Sequence, residues 1–280
     1  YMSSNLTDAE YTTTTELSSI DSAGFTVGSS GMTNQSSQTY VAWAWDAGSS
    51  TVTNTDGNIN SSVRANQSAG FSIVSYTGNG SIGQTIGHGL NAVPQLIIVK
   101  SRSASIRWGV YHEGVGPGNT LVLNSTTTPT GGTGVWGNTV PTNTVFTVSN
   151  DGEANANGGN YIAYCFAPVA GYSAMGSYTG NGSSSDGTFV FTGFRSKWIM
   201  IKVTSATNNW VIYDTERDTY NASDAELYPD TSGAENTSGP IDILSNGFKQ
   251  RNAHNHLNQN SQTYIYMAFA KNPFSLARAR

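Results

Sequence analysis

The chain has 280 residues and a formal net charge of −5, with only 11% of its residues charged and 31 glycines. No Lys/Arg cluster is present, which argues against a phosphate-tracking groove for nucleic acid. The longest apolar runs, such as Leu96–Val99, are far too short to cross a bilayer, so no membrane insertion is expected.

Gly, Ser, Thr and Asn are abundant throughout, which suits short strands joined by turns rather than long helices. The first landmarks are YMSSNLTDAE at 1–10, GFTV at 24–27 and YVAWAWDAG at 40–48. The opening decapeptide is similar to ELYPDTSGAE at 226–235, deep inside a later unit, so the first unit is expected to lack its front half. YVAWAWDAG is expected to be a strand. Its large residues, Val41, Trp43 and Trp45, alternate with Ala42 and Ala44, because successive side chains point to opposite faces. The large face is expected to fill a core, and the small face to let another surface approach.

Residues 49–69 are rich in Ser, Thr and Asn and read as a linker. Within them Asn54, Asp56 and Asn58 alternate like part of a calcium loop, but the distal Glu is missing. A full unit follows: FSIVSYTGNG, QLIIVKSR, RWGVYHE, TLVLNS, VFTVS and YIAYCFA. About seven strands in roughly 100 residues is the density of a β-sandwich. The last unit then repeats this pattern at a shift of 102. SYTGNG moves from 75 to 177, LIIVK at 96 becomes WIMIK at 198, and Trp108 and Tyr111 become Trp210 and Tyr213. Phe25 to Tyr40 spans 15 residues, Phe146 to Tyr161 spans 15 and Phe248 to Tyr264 spans 16, a loop of nearly constant length.

The expected fold is therefore all-β, with tandem β-sandwich repeats of about 100 residues. Its parts are the C-terminal half of a first repeat at 1–48, the linker at 49–69, a second repeat at 70–170 and a third at 171–280. Only four residues, Ala170 to Ser173, separate the last two, which predicts a rigid pair.

No catalytic motif stands out: G-x-S-x-G, HExxH and the P-loop are all missing, and no cofactor is expected. Cys165, the single cysteine, reads as a small buried residue, and no intrachain disulfide can form. Trp108 and Trp210 could stack a sugar, but their alternation with Val110 and Ile212 favours core positions. Trp136 lies in the glycine-rich stretch TGGTGVWGNTV without a counterpart in the last unit, which makes it the candidate ligand-binding residue. Asp214 and Glu216 could serve as a glycosidase pair, although a solvated acidic loop explains them better. His88, between two glycines, reads as a packing residue. His254 and His256 form an H-x-H pair, the candidate metal ligands. In a trimer three such pairs could supply six imidazoles to one ion, an arrangement similar to that in a class of phage receptor-binding tips. The C-terminal Arg278 and Arg280 with Lys271 are too few to bind DNA.

With the repeat laid out, the chain resembles a repeat family of structural proteins of marine bacteriophages, cyanophages especially. SYTGNGSIGQTIGHGLNAVPQLIIVK at 75–100, NYIAYCFAPVAGYS at 160–173, VIYDTERDTYN at 211–221 and TYIYMAFAKNPF at 263–274 carry the resemblance. It implies a non-enzymatic virion protein with concanavalin-like or jelly-roll units, located at the particle surface. Such a fibre or appendage would contact other virion proteins and host-surface glycan, as a homo-oligomer with a trimer favoured. A capsid-decorating or tail-connecting protein without a receptor role is the alternative, and a glycan-cleaving enzyme the remote one.

Overall fold

The computed structural model describes residues 1–273. Arg278 and Arg280 lie outside the described residues. An N-terminal hairpin joins β1 (Leu17–Ile20) to β2 (Phe25–Val27), and a single helical turn, α1 (Gly31–Asn34), follows with the Ser30 hydroxyl capping Met32 N–H. Next come β3 (Thr51–Asn54), β4 (Ser61–Asn66), β5 (Phe71–Thr77), β6 (Gln84–Gly87), β7 (Leu96–Ser101), β8 (Gly109–His112), β9 (Asn119–Val122) and β10 (Thr130–Gly131). The turn α2 (Thr133–Trp136) precedes β11 (Val145–Val148) and β12 (Asn160–Phe166). The remaining strands are β13 (Ser173–Thr179), β14 (Phe189–Phe191), β15 (Ser196–Val203), β16 (Trp210–Asp214), β17 (Ile241–Leu244), β18 (Gly247–Gln250) and β19 (Thr263–Ala270).

The chain is all-β and its strands pair antiparallel. One large sheet has the order β10-β9-β8-β7-β12-β5-β4-β3, and a second has the order β13-β19-β15-β16. Each carries a smaller sheet on one face: β11-β6 on the first and β14-β18-β17 on the second. Two sandwich-like bodies result, each with its own core. In the first, Val74, Tyr76, Val99, Tyr161, Ala163 and Cys165 meet Ile86, Phe146 and Val148. In the second, Tyr178, Ile199, Ile201, Tyr264 and Ala268 meet Val190, Ile243 and Phe248.

A third core lies between the two large sheets. Phe71, Leu96, Ile98, Val110 and Phe166 of the first body pack against Met175, Met200, Ile212, Met267 and Phe269 of the second. The order of layers is therefore small sheet, large sheet, large sheet, small sheet. This corrects the expected use of the two strand faces. The small face of β12 and β19 (Ala163, Cys165, Ala268) points into each body's own core, where Tyr76, Phe146, Tyr178 and Phe248 supply the bulk. The large face (Tyr164, Phe166, Met267, Phe269) builds the contact between bodies. Both faces are dry, so the alternation carries size rather than polarity.

The loop of nearly constant length has a physical cause. Tyr161 Oη donates to Gly152 O (2.7 Å) and accepts from Ala156 N (2.8 Å). Tyr264 Oη likewise donates to Asn255 O (2.9 Å) and accepts from Gln259 N (2.9 Å). Each ring stacks on a second tyrosine, Tyr76 or Tyr178, whose hydroxyl donates to Ala154 O (2.7 Å) or Leu257 O (2.8 Å). A residue added or removed between Gly152 and Tyr161, or between Asn255 and Tyr264, would break these bonds, and the one-residue difference between the two loops falls outside those spans.

Two further expectations are corrected. Residues 49–69 are no linker: β3 and β4 form a hairpin that adds two strands to the first large sheet, β4 pairing with β5 from Ser61↔Tyr76 to Asn66↔Phe71. Ser61 and Val63 point inward while Ser62 and Arg64 point out. Residues 40–47, expected to be a strand, carry no regular secondary structure and belong to no sheet. Their burial still alternates, with Val41, Trp43 and Trp45 turned inward.

Candidate binding cleft at the contact between the two bodies

The segment 40–47 crosses the rim of the core shared by the large sheets. Trp45 sits edge-on to Trp198 of β15 (ring centroids 5.4 Å apart) and to Phe269 of β19 (5.6 Å). Trp43 meets the same Trp198 at 6.2 Å. These perpendicular contacts set the electropositive ring edge against the π face. They hold the segment without the ladder bonds of a strand. Two hollows flank it. One, of about 280 Å³, is lined by Trp43, Trp45, Tyr172, Trp198, Asp214 and Glu216 among others. The other, of about 670 Å³, runs beneath the segment toward Trp108, Tyr164, Phe166 and Tyr228. Sizes of several hundred Å³ with mostly apolar walls are those of ligand sites.

The polar groups of the rim differ in their freedom. Asp214 accepts from Arg217 Nε (2.6 Å), from Trp43 Nε1 (3.3 Å) and from the backbone N–H groups of Glu216 (3.0 Å) and Arg217 (2.9 Å). Burial pushes its carboxyl up, but the bonds and charge of Arg217 outweigh that and hold it below the ordinary carboxylate range. Its acceptor capacity is used in positioning Trp43. Glu216 is exposed and faces Lys197 Nζ at 3.5 Å. The cleft thus offers the half-buried indoles of Trp43 and Trp45, braced on the buried Trp198, beside an exposed charged pair.

Of the residues singled out from sequence, Trp136 is corrected. It is 2% exposed, packed in the first body's core and edge-on to Tyr111 at 6.0 Å. The glycines around it make the tight turn α2, whose C-cap Gly137 has φ +61°. That turn tucks the indole inward, so it cannot stack a ligand. Trp108 and Trp210 are core residues of the shared interface, as their alternation indicates. The Trp108 indole donates to Ser3 O (3.1 Å) and Leu6 O (3.2 Å), and Trp210 Nε1 donates across the contact to Val122 O (3.0 Å). Cys165 is fully buried, and burial pushes its thiol up to about 12. Asn54 and Asp56 bind each other in their turn, while Asn58 exchanges hydrogen bonds with Thr85 of β6.

His254 and His256 do come together, with 3.3 Å between their Nδ1 atoms. His256 Nε2 meets Glu226 Oε1 at 3.0 Å. Glu226 is itself enclosed by the hydroxyls of Tyr213 and Tyr228 and the amide of Asn236. Burial raises its pKa, but the His256 contact and the tyrosine hydroxyls prevail and keep the carboxyl below its usual value. Among the described residues no three His, Cys, Asp or Glu side chains converge on one point.

The cleft residues Trp43, Trp45 and Trp198 were not singled out as a site. The available signal was the WAW triplet, where the later copies have YCF and MAF. Two indoles at positions held in the later copies by Tyr164 and Phe166, or by Met267 and Phe269, set this segment apart.

Over residues 1–273 the chain matches the family described as a domain of unknown function (DUF7483), and it belongs to that family. No curated protein and no solved structure is significantly similar to it.

Proposed function

We propose that the protein is a non-enzymatic adhesion component of a phage virion, a fibre or surface appendage that binds host glycan in the Trp43–Trp45–Trp198 cleft. The observation that carries this reading is the half-buried pair Trp43 and Trp45, set edge-on against the buried Trp198, beside an exposed Lys197–Glu216 pair. Indole rings pack against the apolar faces of sugar rings, while ionic and amide groups bind hydroxyls. The virion setting rests on the sequence resemblance to marine phage structural proteins. The non-enzymatic character is supported by Asp214, whose carboxylate is committed to Arg217 and Trp43 rather than free for proton transfer.

We read the chain as tandem concanavalin-like or jelly-roll repeats of about 100 residues, preceded by the later part of another. The paired tyrosine locks support this, as do two matching asparagine brackets. Asn155 accepts from Asn79 N (2.9 Å) and donates to Ser81 O (2.9 Å); Asn258 accepts from Asn181 N (3.0 Å) and donates to Ser183 O (3.1 Å). A homo-oligomer, with a trimer favoured, would cover the apolar N-terminal hairpin.

A glycan array tests the reading. Binding is expected for the wild type, with at least a tenfold loss for Trp45→Ala at unchanged far-ultraviolet circular dichroism. A blank array, or equal binding by the variant, would refute it. A capsid-decorating or tail-connecting role is the second reading. Ile20 is 78% exposed and Phe25 51% exposed in the N-terminal hairpin, an apolar surface suited to another virion protein. Imaging of labelled particles separates the two: label on the capsid lattice favours the second.

A further inference from the structure

The contact between His254 and His256 is more ordered than an exposed H-x-H sequence requires. His256 is 6% exposed. Its Nε2 faces the Glu226 carboxylate, which can only accept, so Nε2 carries the proton. A neutral His256 ring therefore presents a bare lone pair at Nδ1. That lone pair faces His254 Nδ1 at 3.3 Å. The carboxylate behind the ring is the arrangement that fixes tautomer and orientation in metal-ligating histidines and raises the basicity of the liganding nitrogen. Glu226 cannot turn away, because Tyr213 Oη (2.7 Å), the Tyr228 hydroxyl and Asn236 Nδ2 (3.3 Å) hold it.

We propose that His254 Nδ1 and His256 Nδ1 chelate one divalent ion of the borderline transition-metal class, zinc or copper(II), with Glu226 positioning His256 and water filling the other coordination places. Metal–imidazole bonds of about 2.05 Å spanning the observed 3.3 Å subtend an angle of about 107° at the ion, close to tetrahedral. Two neutral nitrogens suit these metals better than magnesium or calcium, which take oxygen ligands. Room for water exists: His254 opens on a shallow hollow shared with Asn208, Ala253 and Asn255. The other two histidines offer no rival site. His88 and His112 are enclosed, with ring nitrogens on Thr142 O and Tyr266 O. Tyr228, which holds Glu226, also lines the larger hollow of the cleft, but neither imidazole does.

Isothermal titration of the full chain with zinc chloride, repeated with copper(II) chloride, tests the site. One ion per chain is expected, with copper binding more tightly than zinc. His254 is exposed, so His254→Ala should fold normally and lose at least tenfold in affinity. Glu226→Gln should weaken binding by about 10–100-fold. Because Glu226 is buried and that variant could misfold, zinc-induced shifts of the wild-type imidazole resonances provide a second readout: Nδ1 of both rings should move together at one equivalent. Absence of saturable binding, binding unchanged in His254→Ala, or resonance shifts that spare His256 would each overturn the proposal.

Discussion

Acidification should loosen the joint between the two bodies through His112. This residue ends β8 of the first body, yet its Nε2 lies 3.2 Å from Tyr266 O of β19 in the second. Gly114 N–H donates to its Nδ1 at 3.0 Å. Both ring nitrogens are thus committed in the neutral form, and a second proton would set Nδ1–H against Gly114 N–H. Burial lowers the His112 pKa from 6.5 to about 4, the bond to Tyr266 O offsetting it only in part. Above pH 6.5 both folded and unfolded chains hold this ring neutral, and its full contribution is present. Between pH 6.5 and 4 the unfolded chain binds one more proton, so stability falls by about 1.4 kcal/mol per pH unit as pH drops. From pH 7 to pH 5 the loss from this residue is about 2 kcal/mol, an order-of-magnitude figure. Urea denaturation of wild type and His112→Asn at the two pH values measures it. Wild type should lose more than the variant by about that amount. His88, whose pKa burial also lowers, contributes in the same direction to both proteins and cancels in the difference. Equal losses in wild type and variant would refute the assignment.

Other substitutions separate core from surface. Trp136→Ala should cost about 3–5 kcal/mol, a drop of roughly 10 °C in Tm, with no change in glycan binding. Trp136→Phe should cost clearly less. Its Nε1 has no partner among the described residues, so deleting that buried donor offsets part of the lost contact area. Scanning calorimetry of the two variants decides the point. Cys165 should resist thiol reagents in the native protein and react at a rate that follows unfolding, checked by mass spectrometry of labelled samples. Gly70→Ala should destabilise by several kcal/mol in chemical denaturation. Its φ is +64°, and an added Cβ would lie 2.1 Å from Ala167 O.

Much of the strand inventory could be read from sequence because β7, β12, β15 and β19 are compact apolar runs bounded by turn formers. The core placement of Cys165 followed from its position in β12, and that of Trp108 and Trp210 from their phase with Val110 and Ile212. The hairpin β3–β4 was hidden by its composition: at the sheet's border only Val63 and a few small groups need to be apolar, and Ser61 satisfies its hydroxyl on Gly87 O (2.8 Å). Which face of β12 met which neighbour could not be read, since both faces are dry and periodicity gives phase but not partner. Trp136 misled because a glycine-rich turn can tuck a large ring inward as readily as display it. The Glu226 partner of His256 was invisible because 30 positions separate them and only the fold closes that gap.

The shared core has a consequence for biosynthesis. During synthesis the first large sheet is complete once β12 has emerged, but its outer face still carries Phe71, Ile98, Trp108 and Phe166 uncovered. Their partners, from Met175 to Phe269, are encoded in roughly the next 100 residues. At ordinary translation speeds that is a wait of about 5–20 s. In that interval neighbouring ribosomes hold identical apolar faces close together. The junction of so few residues between β12 and β13 shortens the search, because the first strand to arrive is already tethered at the sheet it must cover. Chains stalled after β12 should therefore be the aggregation-prone species, and rare codons beyond that point would lengthen their exposure.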